Sequence, residues 1–259
     1  MGERGPLVAN LRAALRKPGL AGSRLLLLGD SQERNMLHLV CEHMQGRYSA
    51  QQGSYTDRTR FGGARRWGQP HVCHVSPANI SILQFFHFGV VPNATPAILK
   101  HHACRDEVTA LPERLHYLPG GLLSGIGAPT HVVAHSGLWD LLKLCNESHD
   151  RALRMLGPGQ RYEHWLRTKL LEPLRALFPN SRLSWRTLLR VRGDANNQSY
   201  VNRGCALPPY EQARVTLAGA AGESAARAVN VPVLNLARAF DDMISERGEQ
   251  AGGCQHTSH

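Results

Sequence analysis

The segment RLLLLGDSQERN, Arg24 to Asn35, permits few folds. Four consecutive leucines, Leu25 to Leu28, carry no polar alternation, so a strand built from them must be covered on both faces. Gly29 and Asp30 end the run. The spacing of Met36, Leu37, Val40, Cys41 and Met44 then predicts a helix, with Asp30 or Ser31 as its N-cap. A buried strand, a tight turn and a helix form half of a βαβ unit.

The same rhythm recurs along the chain. Asn79 to Val91 is apolar and aromatic and reads as containing a strand. Val132 to Ala134 is a short apolar run followed by a Ser-Gly turn and the helical LWDLLKLC. Tyr162 to Pro179 reads as an amphipathic helix, Ser181 to Val191 as a strand, and Gly193 to Pro209 as a loop. Tyr210 to Asn230 reads as an Ala-rich helix, and Val231 to Phe240 as a last strand. Gly46 to Gly68 is turn-rich and reads as a loop over the sheet edge. Short apolar strands alternating with helices predict an α/β fold, a central mostly parallel sheet with helices on both faces. The predicted organisation is an N-terminal extension, 1–23, and one domain, 24–259.

In such sheets, sites lie outside the carboxyl ends of the strands. Ser31 stands at one such end and opens a helix, where its N–H can stabilise an oxyanion. Gly-Asp-Ser also serves plain helix capping. Two further clusters bear on the choice. His135, Ser136 and Gly137 follow a second apolar run, and the tail GGCQHTSH offers His256 and His259 after the last predicted strand. Three strand-end clusters exceed what capping needs.

These residues resemble the SGNH (GDSL-type) hydrolase superfamily, nearest the branch of PC-esterases and trichome-birefringence-like polysaccharide O-acetyltransferases. Gly29-Asp30-Ser31-Gln32-Glu33-Arg34-Asn35 matches that branch's GDS-x-x-R-N opening, and HSGLWDL resembles its third block. QQGSYTD, with Gly53, loosely resembles the second block, and LSWRT the fourth strand of related proteins. The resemblance spans roughly residues 24–259. It implies a three-layer α/β/α sandwich (SGNH-hydrolase, flavodoxin-like) and a serine esterase acting on O-acyl, chiefly O-acetyl, esters, with a carbohydrate as candidate alcohol. An O-acyltransferase on the same site is the near alternative. It implies Ser31 as nucleophile and the Ser31 and Gly53 N–H groups as oxyanion donors, with Asp30 and Gly137 in the same substrate-binding set. It needs no cofactor and no metal.

Two departures stand out. His135 occupies the place of the family's oxyanion Asn, and a His can donate one N–H, so its protonation would then affect the rate. In the tail, His256 stands where the family has the Asp of Asp-x-x-His. His259 is then the base, oriented by Asp241 or Asp242 or acting in a Ser–His dyad. The departures keep open an inactive SGNH-fold protein that binds a glycan or other anion.

Net charge is +10, and of 30 basic residues only Lys17, Lys100, Lys143 and Lys169 are lysines. The arginines are dispersed and carry no nucleic-acid signature, so no nucleic-acid partner is expected. The densest patch, Asp57 to Trp67, sets Trp67 beside Arg58, Arg60, Arg65 and Arg66, a combination that suits a glycan or anionic groove. Trp139 and Trp185 are expected in the core. His71, Cys73 and His74, with His101, His102 and Cys104, offer zinc-type donors, but the spacing fits no closed zinc site. His116, His149 and His164 read as structural or solvated. No apolar stretch is long enough for a membrane helix. Six cysteines and sequons at Asn79, Asn93, Asn146 and Asn197 point towards the secretory pathway, whereas Met1 to Ser23 lacks the apolar centre of a signal peptide. Oligomeric state is not legible.

Overall fold

The computed structural model of the 259-residue chain describes residues 20–50, 70–91, 123, 126–189, 198–199 and 205–236. The chain enters at β1 (Arg24–Gly29), turns at Asp30 into α1 (Ser31–His43), and returns through the edge strand β2 (Arg47–Ala50). A hairpin follows, β3 (His71–Val75) and β4 (Ile80–Phe86), joined by a 3-10 turn over Ser76–Ala78. Next come β5 (His131–Ala134), α2 (Leu138–Lys143) and α3 (His149–Met155). The helix α4 (Arg161–Leu166) runs through a π-helical stretch, Arg167–Leu171, into α5 (Glu172–Leu177). The described chain ends with β6 (Arg182–Arg186), α6 (Gln212–Ala228) and β7 (Val233–Leu234).

All seven described strands form one mixed sheet in the order β2-β3-β4-β1-β5-β6-β7. β4, β1, β5, β6 and β7 pair in parallel, whereas β2 and β3 extend the sheet antiparallel. β1 is flanked on both sides, by β4 and β5, which is where an uninterrupted leucine run belongs. Its side chains alternate between two cores. Leu26 and Leu28 face the larger core with Leu166, Leu170, Leu171 and α6, and Leu25 and Leu27 face α1 through Leu37, Cys41 and Met44. Helices therefore cover both faces.

Local chemistry fixes the elements. Asp30 caps α1, and Glu33 reaches back to the Asp30 N–H at 2.8 Å, a reciprocal capping box. The π stretch ends two residues before Pro173, which has no N–H to continue an α-helical ladder. α6 is rich in small residues because it packs against Trp185: a Cβ at Gly222 would come within 2.5 Å of the indole. Cys41–Cys73 ties α1 to β3, and Cys145–Cys205 ties the end of α2 to the segment before α6. Their loops, with sequence separations of 32 and 60, contribute about 3–4.5 kcal/mol each in the chain-entropy account.

Several expectations are revised. Arg47–Ala50 is a strand, not loop, and HVCHV is strand β3, whose Cys73 thiol is consumed by the disulfide. That removes the thiolate from the zinc-type cluster, and His101, His102 and Cys104 lie outside the described residues. His71 Nδ1 and His74 Nδ1 instead meet Tyr48 OH at 2.7 Å and Ser81 Oγ at 2.9 Å. The strand expected over Ser181 to Val191 covers only Arg182–Arg186, and the last strand only Val233–Leu234. Trp185 is buried and Trp139 packs against Phe86 and Phe88. The N-terminal extension to residue 19, the segment Asp57 to Trp67 and His116 lie outside the described residues. No described helix is long and apolar enough to cross a membrane.

Candidate functional site

Parallel strands place their carboxyl ends on one edge. There the structure gathers Asp30 and Ser31 after β1, His87 after β4, and His135, Ser136 and Gly137 after β5. Arg186 ends β6, and Thr187 follows it. The backbone is stitched across this edge: His87 N–H donates to Gly29 O at 2.7 Å, and His135 N–H to Leu28 O at 2.8 Å.

Ser31 is half-buried and is the first residue of α1, so its N–H has no acceptor within the helix. Asp30, just before it, is 3% exposed and points inward. One carboxylate oxygen accepts the Gln32 N–H at 2.7 Å, and the other lies 3.7 Å from His135 Nε2. Gln84 Nε2 donates to the Gly29 and Asp30 carbonyls from below, at 3.3 and 3.4 Å. His135 is 1% exposed, and its Nε2 faces the buried Asp30 carboxylate.

Burial alone would raise the Asp30 carboxyl. The His135 ring, the Gln32 N–H and the Arg186 guanidinium outweigh burial and hold it below its ordinary value. A carboxyl lowered in the folded state stabilises the fold above its unfolded pKa, about 4, and loses that contribution as pH falls through the folded value. Asp30→Asn keeps a capping side chain but removes the titration. It is expected to flatten the stability curve below about pH 4, read from urea midpoints across the acid range. An unchanged acid limb would mean that the Asp30 charge is not held by these partners.

A second polar cluster adjoins the first. Ser136 Oγ donates to Asp140 Oδ2 at 2.6 Å, and His87 Nε2 lies 2.8 Å from Ser136 Oγ. With the hydroxyl proton given to Asp140, His87 Nε2 is the donor in that contact. Asp140 also accepts the Val90 and Val91 N–H groups at 2.7 and 2.8 Å and Tyr162 OH at 2.9 Å. Burial and the Asp140 carboxylate push the Tyr162 hydroxyl well above its usual range, so it stays protonated and donates. Of the two serines on this edge, Ser136 is locked in a buried network while Ser31 is partly open. Gly137 has φ +151°, and a Cβ there would lie 3.0 Å from Leu188, so its place in the site is set by the backbone.

The third grouping is Asp30, Glu33 and His135, whose candidate ligand atoms lie within 4.8 Å of one another. Glu33 of this group is already paired: the Arg186 Nη2 donates to its Oε1 in a buried ion pair.

On the outer face of α1, starting three residues past Ser31, Arg34, Asn35, His38 and Leu39 meet Tyr48 of β2 and His71 of β3 around a cleft of about 460 Å3. Arg34 lies over the Phe86 ring at 5.8 Å. Burial lowers the His71 imidazole, and the nearby Arg34 and His38 add to the shift.

The structure thus brings together Asp30, Ser31, His135 and Gly137. Gly53, Asp241, Asp242, His256 and His259 lie outside the described residues. Sequence reasoning missed His87, Asp140, Tyr162 and Arg186. It also missed the capping role of Glu33, although Asp-x-x-Glu before an apolar run signals one. No protein-family model matches the chain, and no curated protein matches its sequence.

Proposed function

We propose that the chain is a serine esterase of SGNH type, with Ser31 as nucleophile. One observation carries the reading. Ser31 is a partly open serine at the first turn of a helix, on the carboxyl edge of a parallel sheet, and the buried Asp30 and Glu33 side chains beside it form the capping box that fixes that turn. The parallel strands support it too: taken in chain order they lie 2-1-3-4-5, the order of flavodoxin-like doubly wound sheets, and Ser31 sits at the switch point of that order.

In this mechanism Ser31 Oγ attacks the ester carbonyl carbon and its proton passes to His259. The oxyanion is held by the Ser31 N–H and the Gly53 N–H, with His135 as the third donor that the family resemblance implies. The C–O bond to the alcohol breaks, and the alcohol leaves with the proton from His259. Water, deprotonated by the same base, then releases the acid and restores Ser31. A sugar hydroxyl in place of water would give the transferase version. The roles of Gly53 and His259 rest on the family resemblance, and that of Ser31 rests on geometry as well.

The test is fluorophosphonate labelling of the full chain beside Ser31→Ala, with p-nitrophenyl acetate turnover read in parallel. Labelling and turnover are expected in the parent and absent in the variant. A folded parent chain that takes no label would overturn the reading and favour a non-catalytic binding protein.

A further inference from the structure

The cleft between α1, β2 and β3 has a chemistry of its own. Among its described lining residues are one fixed cation, two imidazoles, a phenol, a carboxamide and Leu39, and no carboxylate. Arginine presents a planar fork suited to carboxylate. The rings form a continuous wall: His38 meets Tyr48 edge-on at 4.8 Å, and Tyr48 stacks on His71 at 5.6 Å. Leu39, 54% exposed, gives the rim an apolar surface. A cation beside ring faces and an apolar rim fits an acid carried on a ring better than a bare anion, which would use only the charge.

Position relates this cleft to the nucleophile. Ser31, Arg34, Asn35 and His38 follow helical spacing on one face of α1. At about 1.5 Å rise per residue, Arg34 lies roughly 4.5 Å and His38 roughly 10 Å along the axis from Ser31. An acid held there stands about one sugar ring from an ester carbonyl at Ser31.

We infer that this cleft binds a sugar acid, its carboxylate against Arg34 and His38 and its ring against Tyr48 and His71, and that this sugar acid is the alcohol part of the ester. The second half of the inference rests on the proposed Ser31 chemistry; the first half does not.

Binding is therefore measured on the full chain carrying Ser31→Ala, which holds ligand without turning it over. The probes are methyl glucuronoside, methyl glucoside and inorganic phosphate, titrated at fixed ionic strength and followed by calorimetry. Methyl glucuronoside is expected to bind at least about tenfold more tightly than either control. Adding Arg34→Gln is expected to erase that preference, with unfolding midpoints checking that the fold survives. His38→Gln is the second variant, expected to weaken glucuronoside severalfold. Equal binding of glucuronoside and glucoside would overturn the inference. So would phosphate binding as well as glucuronoside, which would mark a plain anion site. Fluorophosphonate labelling without glucuronoside binding would leave the esterase standing and sink the sugar-acid cleft. Binding without labelling would keep the cleft and sink the esterase.

Discussion

Asp140→Ala is expected to cost about 4 kcal/mol or more of folding stability. The Asp140 carboxylate accepts from the Val90 and Val91 N–H groups and from the Ser136 and Tyr162 hydroxyls, and all four donor residues are buried. Removing the acceptor takes this partner from the buried Val90 and Val91 N–H groups and the Tyr162 hydroxyl, at about 1–3 kcal/mol each, while Ser136 keeps His87. Against a usual total of about 5–15 kcal/mol, that is a large share of the fold. Alanine also removes the atoms that pack on Gly89, where a Cβ would come within 2.2 Å of the carboxylate. Asp140→Asn keeps the shape and one accepting oxygen, and its loss is expected to fall between alanine and the parent. Urea unfolding of the three chains is the measurement. A loss below about 1 kcal/mol for alanine would mean that water or a rearranged loop replaces the carboxylate.

The second large effect concerns Glu33 and Arg186, an ion pair with both side chains under 5% exposed. Arg186→Met would leave the Glu33 carboxylate buried with only the Asp30 N–H for company, at about 3–5 kcal/mol. Glu33→Gln removes the charge yet still offers an oxygen to the Asp30 N–H, so the cap of α1 survives. The doubly substituted chain carries no buried charge at this place. It is expected to be more stable than Arg186→Met alone, which independent contributions forbid. Unfolding free energies around the four-chain cycle decide it. Additivity within about 0.5 kcal/mol would mean that the two groups act separately.

How much of this was legible depends on how far apart the partners lie. β1, its turn and α1 could be read because the leucine run, the Asp cap and the helical spacing are all local. β5 with α2, and the small-residue helix α6, were legible for the same reason. β2 and β3 were not. A four-residue edge strand without an apolar run looks like loop, and the alternation of HVCHV suggested ligands before it suggested pleat. Cysteine spacing gave the count but not the pairing of Cys41 with Cys73 or Cys145 with Cys205. Ser31, Asp30 and His135 converge as strand ends in a parallel sheet must. Their support does not follow from any local signal: Glu33 and Arg186 are 153 residues apart, and Asp140 draws donors from three separate segments.

The Cys41–Cys73 bridge has a consequence for recognition. The cleft has one wall on α1, with Arg34 and His38, and the other on β2 and β3, with Tyr48 and His71. The covalent link joins those walls, and the Tyr48 hydroxyl bonded to His71 braces one of them. Much of the ordering is therefore complete before any guest arrives, so less of the contact energy is consumed in freezing the host. A small ligand can then be held by a few well-placed groups, and one that does not match the gap finds walls that resist adjusting to it.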